Sequence, residues 1–202
     1  MKIATVNNEP LKVPYTNPTA FFKIADRLNG YLNGLDPARR IAVVCLGTDR
    51  CTGDSLGPLT GSSLIKFRSP MFDLYGTLES PVHALNLDET LRELHRKTRN
   101  PFIIGIDACL GQASSVGCIE VGEGPVLPGA GVKKQLPPVG NIHMTGIVNV
   151  GGFAEVLVLQ NTRLHVVMGM AELISRTLFR AISVAAKGQK EIAPAAGIAH
   201  SL

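Results

Sequence analysis

The chain has 202 residues, a formal net charge of +4, 45% hydrophobic residues and 18% charged ones. That is apolar enough for one domain with a real core, and it excludes a chain disordered throughout. The basic residues are scattered (Arg39 and Arg40, Lys97 and Arg99, Lys133 and Lys134) and aromatics make up 5%, so the sequence has neither the basic run nor the stacking platforms of a nucleic-acid binder.

No apolar run reaches the roughly 18 residues of a transmembrane helix. The first ten residues hold no apolar stretch of the secretory type, so the expected location is the cytoplasm. Cys45, Cys51, Cys109 and Cys118 include no C-x-x-C pair. That argues against a zinc ribbon or a thioredoxin-type site, and reduced thiols are expected.

Residues 1–16 are polar and marked by proline, and read as an extended arm that is a candidate dimer element. Asn17 and Pro18 suit the cap and first position of a helix. Phe21, Phe22, Ile24, Ala25, Leu28 and Leu32 would form its apolar stripe, with Gly34 ending it. Ile41-Ala42-Val43-Val44-Cys45-Leu46 is a continuous apolar run of the kind buried in a parallel sheet. A polar, glycine-rich loop over 47–57 follows, then a helix from Pro58 to about Phe67. Residues 72–77 predict a second strand. Asn86 and Glu89 have capping-box spacing ahead of a helix striped by Leu87, Leu91 and Leu94. Residues 102–107 predict a strand that ends in Asp107, and residues 115–122 another. Residues 123–141 read as a long loop and 145–150 as a strand. A helix over 163–183 would turn Leu164, Val167, Met168, Ala171, Ile174 and Leu178 inward. The alternation implies a doubly wound, mostly parallel sheet between two helix layers, three-layer α/β/α. The single domain spans 17–186, and 187–202 form a tail expected to be poorly ordered.

In such sheets ligands bind outside the carboxyl ends of the strands. Asp54, after the first core strand, and Asp107, at the end of a later one, should therefore open onto one edge. Two carboxyl groups placed so can share a proton and activate water, ligate a divalent cation, or serve structure, Asp54 as an N-cap and Asp107 as a loop acceptor. His143, just before a predicted strand, is a further candidate base, metal ligand or substrate contact. A thiolate at Cys51 or Cys109 with His143 as its base is another arrangement, although burial as small apolar residues is the simpler role. Neither G-x-x-x-x-G-K-[ST] nor G-x-G-x-x-G occurs, so nucleotide binding has no support.

Leu46-Gly47-Thr48-Asp49-Arg50, Gly53-Asp54-Ser55-Leu56-Gly57-Pro58, Ile106-Asp107-Ala108, Pro128-Gly129-Ala130-Gly131-Val132, Gly151-Gly152-Phe153-Ala154-Glu155 and Gln160-Asn161-Thr162-Arg163 mark a stretch covering residues 38–183. Together they resemble the YyaC-type sporulation proteins. That family is similar to the germination protease of spore-forming bacteria and to the hydrogenase maturation endopeptidases. The resemblance implies a phosphorylase/hydrolase-like fold, a protein or peptide substrate, and a place in the sporulating cell or forespore. Asp54 and Asp107 fall on the D-x-L-G-P turn and I-D-A strand end that carry the germination protease's aspartate pair, which implies a peptidase without a cofactor. Gly47, Thr48, Asp49, Gly53 and His143 are then the expected substrate contacts. The maturation endopeptidases place a Glu, an Asp and a His near a metal, which implies as an alternative a divalent metal held by Asp54, Asp107 and His143. Cys51 stands where this loop would be expected to carry Ser. A third reading is a non-enzymatic sporulation factor that binds a peptide or partner. In the peptidase reading, backbone N–H groups of the 47–57 loop would stabilise the oxyanion.

Overall fold

The computed structural model describes residues 9–67, 69–129 and 136–192. The apolar runs become strands because their residues find cover on both faces. β2 (Ile41–Cys45) is buried at every position, and β4 (Phe102–Gly111) along its first half. β2 pairs in parallel with β3 (Phe72–Tyr75) on one side and with β4 on the other. β6 (Ile142–Val150) lies parallel to β4. β5 (Cys118–Glu123) runs antiparallel to β6, and β1 (Leu11–Pro14) antiparallel to β5. The order is β1-β5-β6-β4-β2-β3, a six-stranded mixed sheet.

Helices cover both faces, as the alternation predicts. On one face α1 (Ala20–Leu32), α2 (Leu56–Ile65) and α5 (Leu164–Ile192) bury Ile24, Leu28, Leu64 and Ile174 against Val43, Ile104 and Met144. On the other, Leu87 and Leu94 of α3 (Leu87–Lys97) meet Ala42, Val44, Ile103 and Val126. Each such side chain contributes about 1.5–3 kcal/mol on leaving water.

Several local expectations are corrected. Part of the predicted arm is β1, because residues 11–14 find an open edge on β5. Asn17 does not cap a helix at Pro18. Its Oδ1 accepts the backbone N–H and the hydroxyl of Thr19, both at 2.8 Å, and α1 starts at Ala20. Phe22 is 70% exposed, outside the stripe. In α5 the buried face runs through Val167, Met170, Ala171, Ile174 and Leu178, while Leu164 and Met168 turn outward. Both lie one helical step away from the line that faces the sheet. α5 also continues to Ile192. The rest of the predicted tail, 193–202, lies outside the described residues, as do 1–8 and 130–135. That last gap takes Ala130, Gly131 and Val132 of one resemblance motif. On either side of it, Val126 and Val139 exchange backbone hydrogen bonds of 2.9 and 3.0 Å, so the predicted loop is partly paired.

The chain leaves β2 to build β3 on one side, then crosses to build β4 on the other. Connections that diverge from neighbouring strands open a crevice at their carboxyl ends. The start of α2 fits tightly under that crevice, where a Cβ on Gly57 would lie 2.0 Å from the Leu46 carbonyl oxygen. Gly57→Ala is therefore expected to lower unfolding free energy by about 1–3 kcal/mol, the usual cost of overpacking, as read from denaturant midpoints.

Candidate active site

Asp54 is placed by a loop folded back on itself. Gly47 has φ +129, and a Cβ there would sit 1.9 Å from the Asp54 carbonyl oxygen. That oxygen accepts the Thr48 N–H at 3.1 Å. Only glycine permits this approach. Gly53–Ser55 then form one 3-10 turn leading into α2, and neither end is capped by a side chain. The expected structural role of Asp54 as an N-cap is thus not made, and its carboxylate remains available to the crevice.

Asp107 does not end its strand. β2 stops pairing at Cys45–Ile106, where the Leu46 N–H meets the Ile106 carbonyl at 2.7 Å, while β4 continues beside β6 with Asp107 opposite Thr145. Its Oδ1 accepts the Ala108 N–H at 2.8 Å. Both aspartates line one cavity of about 190 Å³, room for about six waters. Leu46, Val82, Leu110, Leu136, Val156 and Leu159 supply much of its wall. Val156 and Leu159 come from α4 (Glu155–Gln160), a short helix that sequence periodicity does not mark.

The apolar wall raises both carboxyls. Asp107 is half-buried and lines the cavity. Burial, then the neighbouring Asp54 charge, push its pKa up to about 8 against the opposing Ala108 N–H. Burial also raises Asp54, and a protonated His83 would work the other way. The result is a coupled pair in which Asp107 holds a proton at neutral pH. Cys51 and Cys109 line the same cavity, but burial pushes the Cys109 thiol up to about 11, so it is not a thiolate at neutral pH.

The other expected residues are distributed differently. Gly47 lines the cavity. Gly53 is packed beneath Leu159 and Thr162, Asp49 is exposed, and the Thr48 hydroxyl accepts the Arg50 N–H at 3.3 Å. His143 does not precede a strand. It lies within β6, opposite Gly105 and Gly122, with Nδ1 3.1 Å from the Gly124 carbonyl. It enters β6 near its amino end and does not line the cavity. The set Asp54, Asp107 and His143 is therefore not assembled. Among the described residues no three His, Cys, Asp or Glu side chains are grouped to hold a metal ion, and the residues present do not fit the metal alternative. The same placement removes His143 as base for a cavity thiol.

Four of the loop N–H groups expected at an oxyanion are committed within the protein. Gly47 donates to the Val82 carbonyl at 2.8 Å, and Ser55 to that of Thr52 at 3.3 Å, besides the Thr48 and Arg50 bonds above.

His83 is the cavity residue that the sequence reading missed. A signal existed, since the connection after β3 must open at the same edge as those after β2 and β4. Asn86 holds it. Asn86 Oδ1 accepts the His83 backbone N–H at 2.8 Å, and Asn86 Nδ2 donates to the Pro81 carbonyl at 3.0 Å. The expected capping box with Glu89 is not formed, as no side chain caps α3.

A stability test follows from Asp107. Its pKa in the fold exceeds the ordinary unfolded value of about 4, so the folded chain holds the proton more tightly. That contribution is complete below about pH 4 and is lost as pH rises through about 8. Asp107→Asn keeps the shape without the charge. It should be more stable than the parent at pH 9 by on the order of 2 kcal/mol, with a Tm about 4–8 °C higher. The gap should fade toward pH 4 in thermal melts.

Comparison with known proteins places the chain in a family. A family described as "Protein of unknown function (DUF1256)" matches residues 12–177. The chain is 54% identical over 138 residues to the "Uncharacterized protein YyaC" of Bacillus subtilis (strain 168), covering 68% of this chain and 67% of that protein. A similar solved structure is the [NiFe] hydrogenase maturation protease HycI from Thermococcus kodakarensis KOD1, with TM-score 0.47 and 15% identity, covering 75% of this chain and 98% of that one. The family match and the bacterial relative together establish that the chain belongs to the DUF1256 family.

Proposed function

We propose that this protein is a sporulation-associated peptidase in which Asp54 and Asp107 activate water against a peptide bond. The observation that carries the reading is one small, apolar-walled cavity holding two coupled carboxyls, both raised by burial. Environments that separate a base from an acid in such a pair suit hydrolysis near neutral pH.

Asp54, raised by burial, is the base, whereas Asp107 is raised further by the neighbouring Asp54 charge and is the acid. Asp54 takes a proton from water as the water oxygen bonds to the amide carbon, and the carbonyl oxygen becomes an oxyanion. When the C–N bond breaks, that electron pair re-forms the carbonyl, and Asp107 gives its proton to the leaving nitrogen. Transfer of the proton from Asp54 to Asp107 restores the pair. The sporulation setting comes from the resemblance of the loop and strand motifs.

A second reading keeps the same cavity as a peptide-binding site without chemistry. It is favoured by apolar side chains exposed in the loop after β5 and just before α4, Leu127 at 76% and Phe153 at 99%, next to the cavity-lining Pro128 and near Val156 in sequence, which would suit a partner segment.

The test is cleavage of acid-soluble spore-protein extract. Asp54→Asn and Asp107→Asn should each lower the rate by at least about 10²-fold, and unchanged cleavage in both would sink the peptidase reading. The wild-type rate should follow a bell in pH. Its alkaline limb is set by loss of the Asp107 proton near about 8, and its acid limb by protonation of Asp54 above the ordinary carboxylate range.

A further inference from the structure

Attack of water on an amide leaves negative charge on the carbonyl oxygen, and that charge needs a hydrogen-bond donor fixed in advance. In the peptidase reading the proton of Asp107 goes to the leaving nitrogen, so the donor must be a separate group. The 47–57 loop does not supply it at Gly47, Thr48, Arg50 or Ser55, whose N–H groups are bonded within the protein. Among the cavity side chains, Gln160 is exposed at the outer end of α4. His83 is half-buried and lines the same cavity as Asp54 and Asp107.

The His83 ring has a defined polarity. The Leu85 N–H points at Nδ1 at 3.3 Å. Nδ1 is therefore the acceptor, and the ring proton of the neutral imidazole sits on Nε2. The backbone around it is tied on two sides. Asn86 takes the His83 N–H at 2.8 Å, and the Val82 carbonyl takes the Gly47 N–H at 2.8 Å, which joins this loop to the loop of Asp54.

We propose that the Nε2–H of His83 is the hydrogen-bond donor to the carbonyl oxygen of the scissile amide, and that Asn86 is the residue that positions it. The role rests on the peptidase reading, and its test separates the two.

The full chain is labelled with ¹⁵N, and the ring nitrogens are read in long-range ¹H–¹⁵N spectra, with His83→Gln identifying the signal. A pyridine-type Nδ1 and a pyrrole-type Nε2 are expected, and Asn86→Ala should lose that preference. Initial rates on saturating acid-soluble spore-protein extract then give the chemistry. His83→Phe, which keeps an aromatic ring without a donor, should lower kcat roughly 10²–10³-fold, the cost of one oxyanion donor, with KM little changed. His83→Gln retains an N–H and should recover at least about tenfold of that loss. Thermal melts establish that each variant is folded; if His83→Phe is not, the ring tautomer and His83→Gln decide. A proton on Nδ1, or His83→Phe with wild-type kcat, overturns the donor role while leaving the aspartate pair standing. Wild-type protein that cleaves nothing overturns the peptidase reading and this role with it.

Discussion

Two carboxyl groups that share too little water form the constraint on which the site depends. An isolated carboxylate in an apolar wall would cost several kcal/mol, so such a group either pairs or keeps its proton. Asp107 keeps its proton, held up by burial and by the charge of Asp54. The fold produces this conflict by stopping β2 one residue before Asp107 while β4 continues beside β6. The carboxyl is carried by a paired, rigid strand, yet faces a gap where its second neighbour has ended. A strand-borne acid keeps its position better than one on a free loop, which suits chemistry that tolerates little misplacement.

The loops at the crevice act as one unit. The Gly47 N–H reaches the Val82 carbonyl, so the connection after β2 and the connection after β3 share a hydrogen bond. Gly47 also lets the backbone turn onto Asp54, and Asn86 closes the 81–86 segment around His83. The bonds that hold Asp54 and His83 in register also consume the N–H groups of Gly47, Thr48 and His83 that a loose loop could have offered to a substrate. Rigidity and donor supply therefore compete at this edge.

The wall is equally telling. Leu46, Val82 and Leu136 reach the cavity from the α3 side of the sheet, while Leu159 belongs to the core on the other side. α4 bridges to it from the chain after β6, entered through Ala154 in the left-handed region at φ +58. A non-glycine residue there carries strain that surrounding contacts must hold. The same stretch exposes Phe153, whereas Leu159 is buried, so the segment divides its apolar residues between the cavity and the surface.

Much of this was legible in the amino-acid order. Continuous apolar runs flanked by helical stripes can only be buried strands between helix layers, so the α/β class followed from Ile41–Cys45 and the run at 102–107. The edge that carries the site, and the presence there of Asp54 and Asp107, followed from the same alternation and from the motifs around them. Other features depended on partners distant in sequence. The residues at 11–14 became a strand because β5 offered an edge. Asn86 met Pro81 and His83 instead of Glu89. His143 was drawn into β6 by pairing with β4 and β5, and His83 was brought to the aspartates by the crossover that separates β3 from β4. The sequence by itself determined the strands, their layers and the two acids, because burial and periodicity are local properties of the chain. Tertiary structure alone decided which imidazole meets those acids and how strongly they hold a proton, because desolvation and charge coupling depend on groups that adjoin only once the sheet is formed.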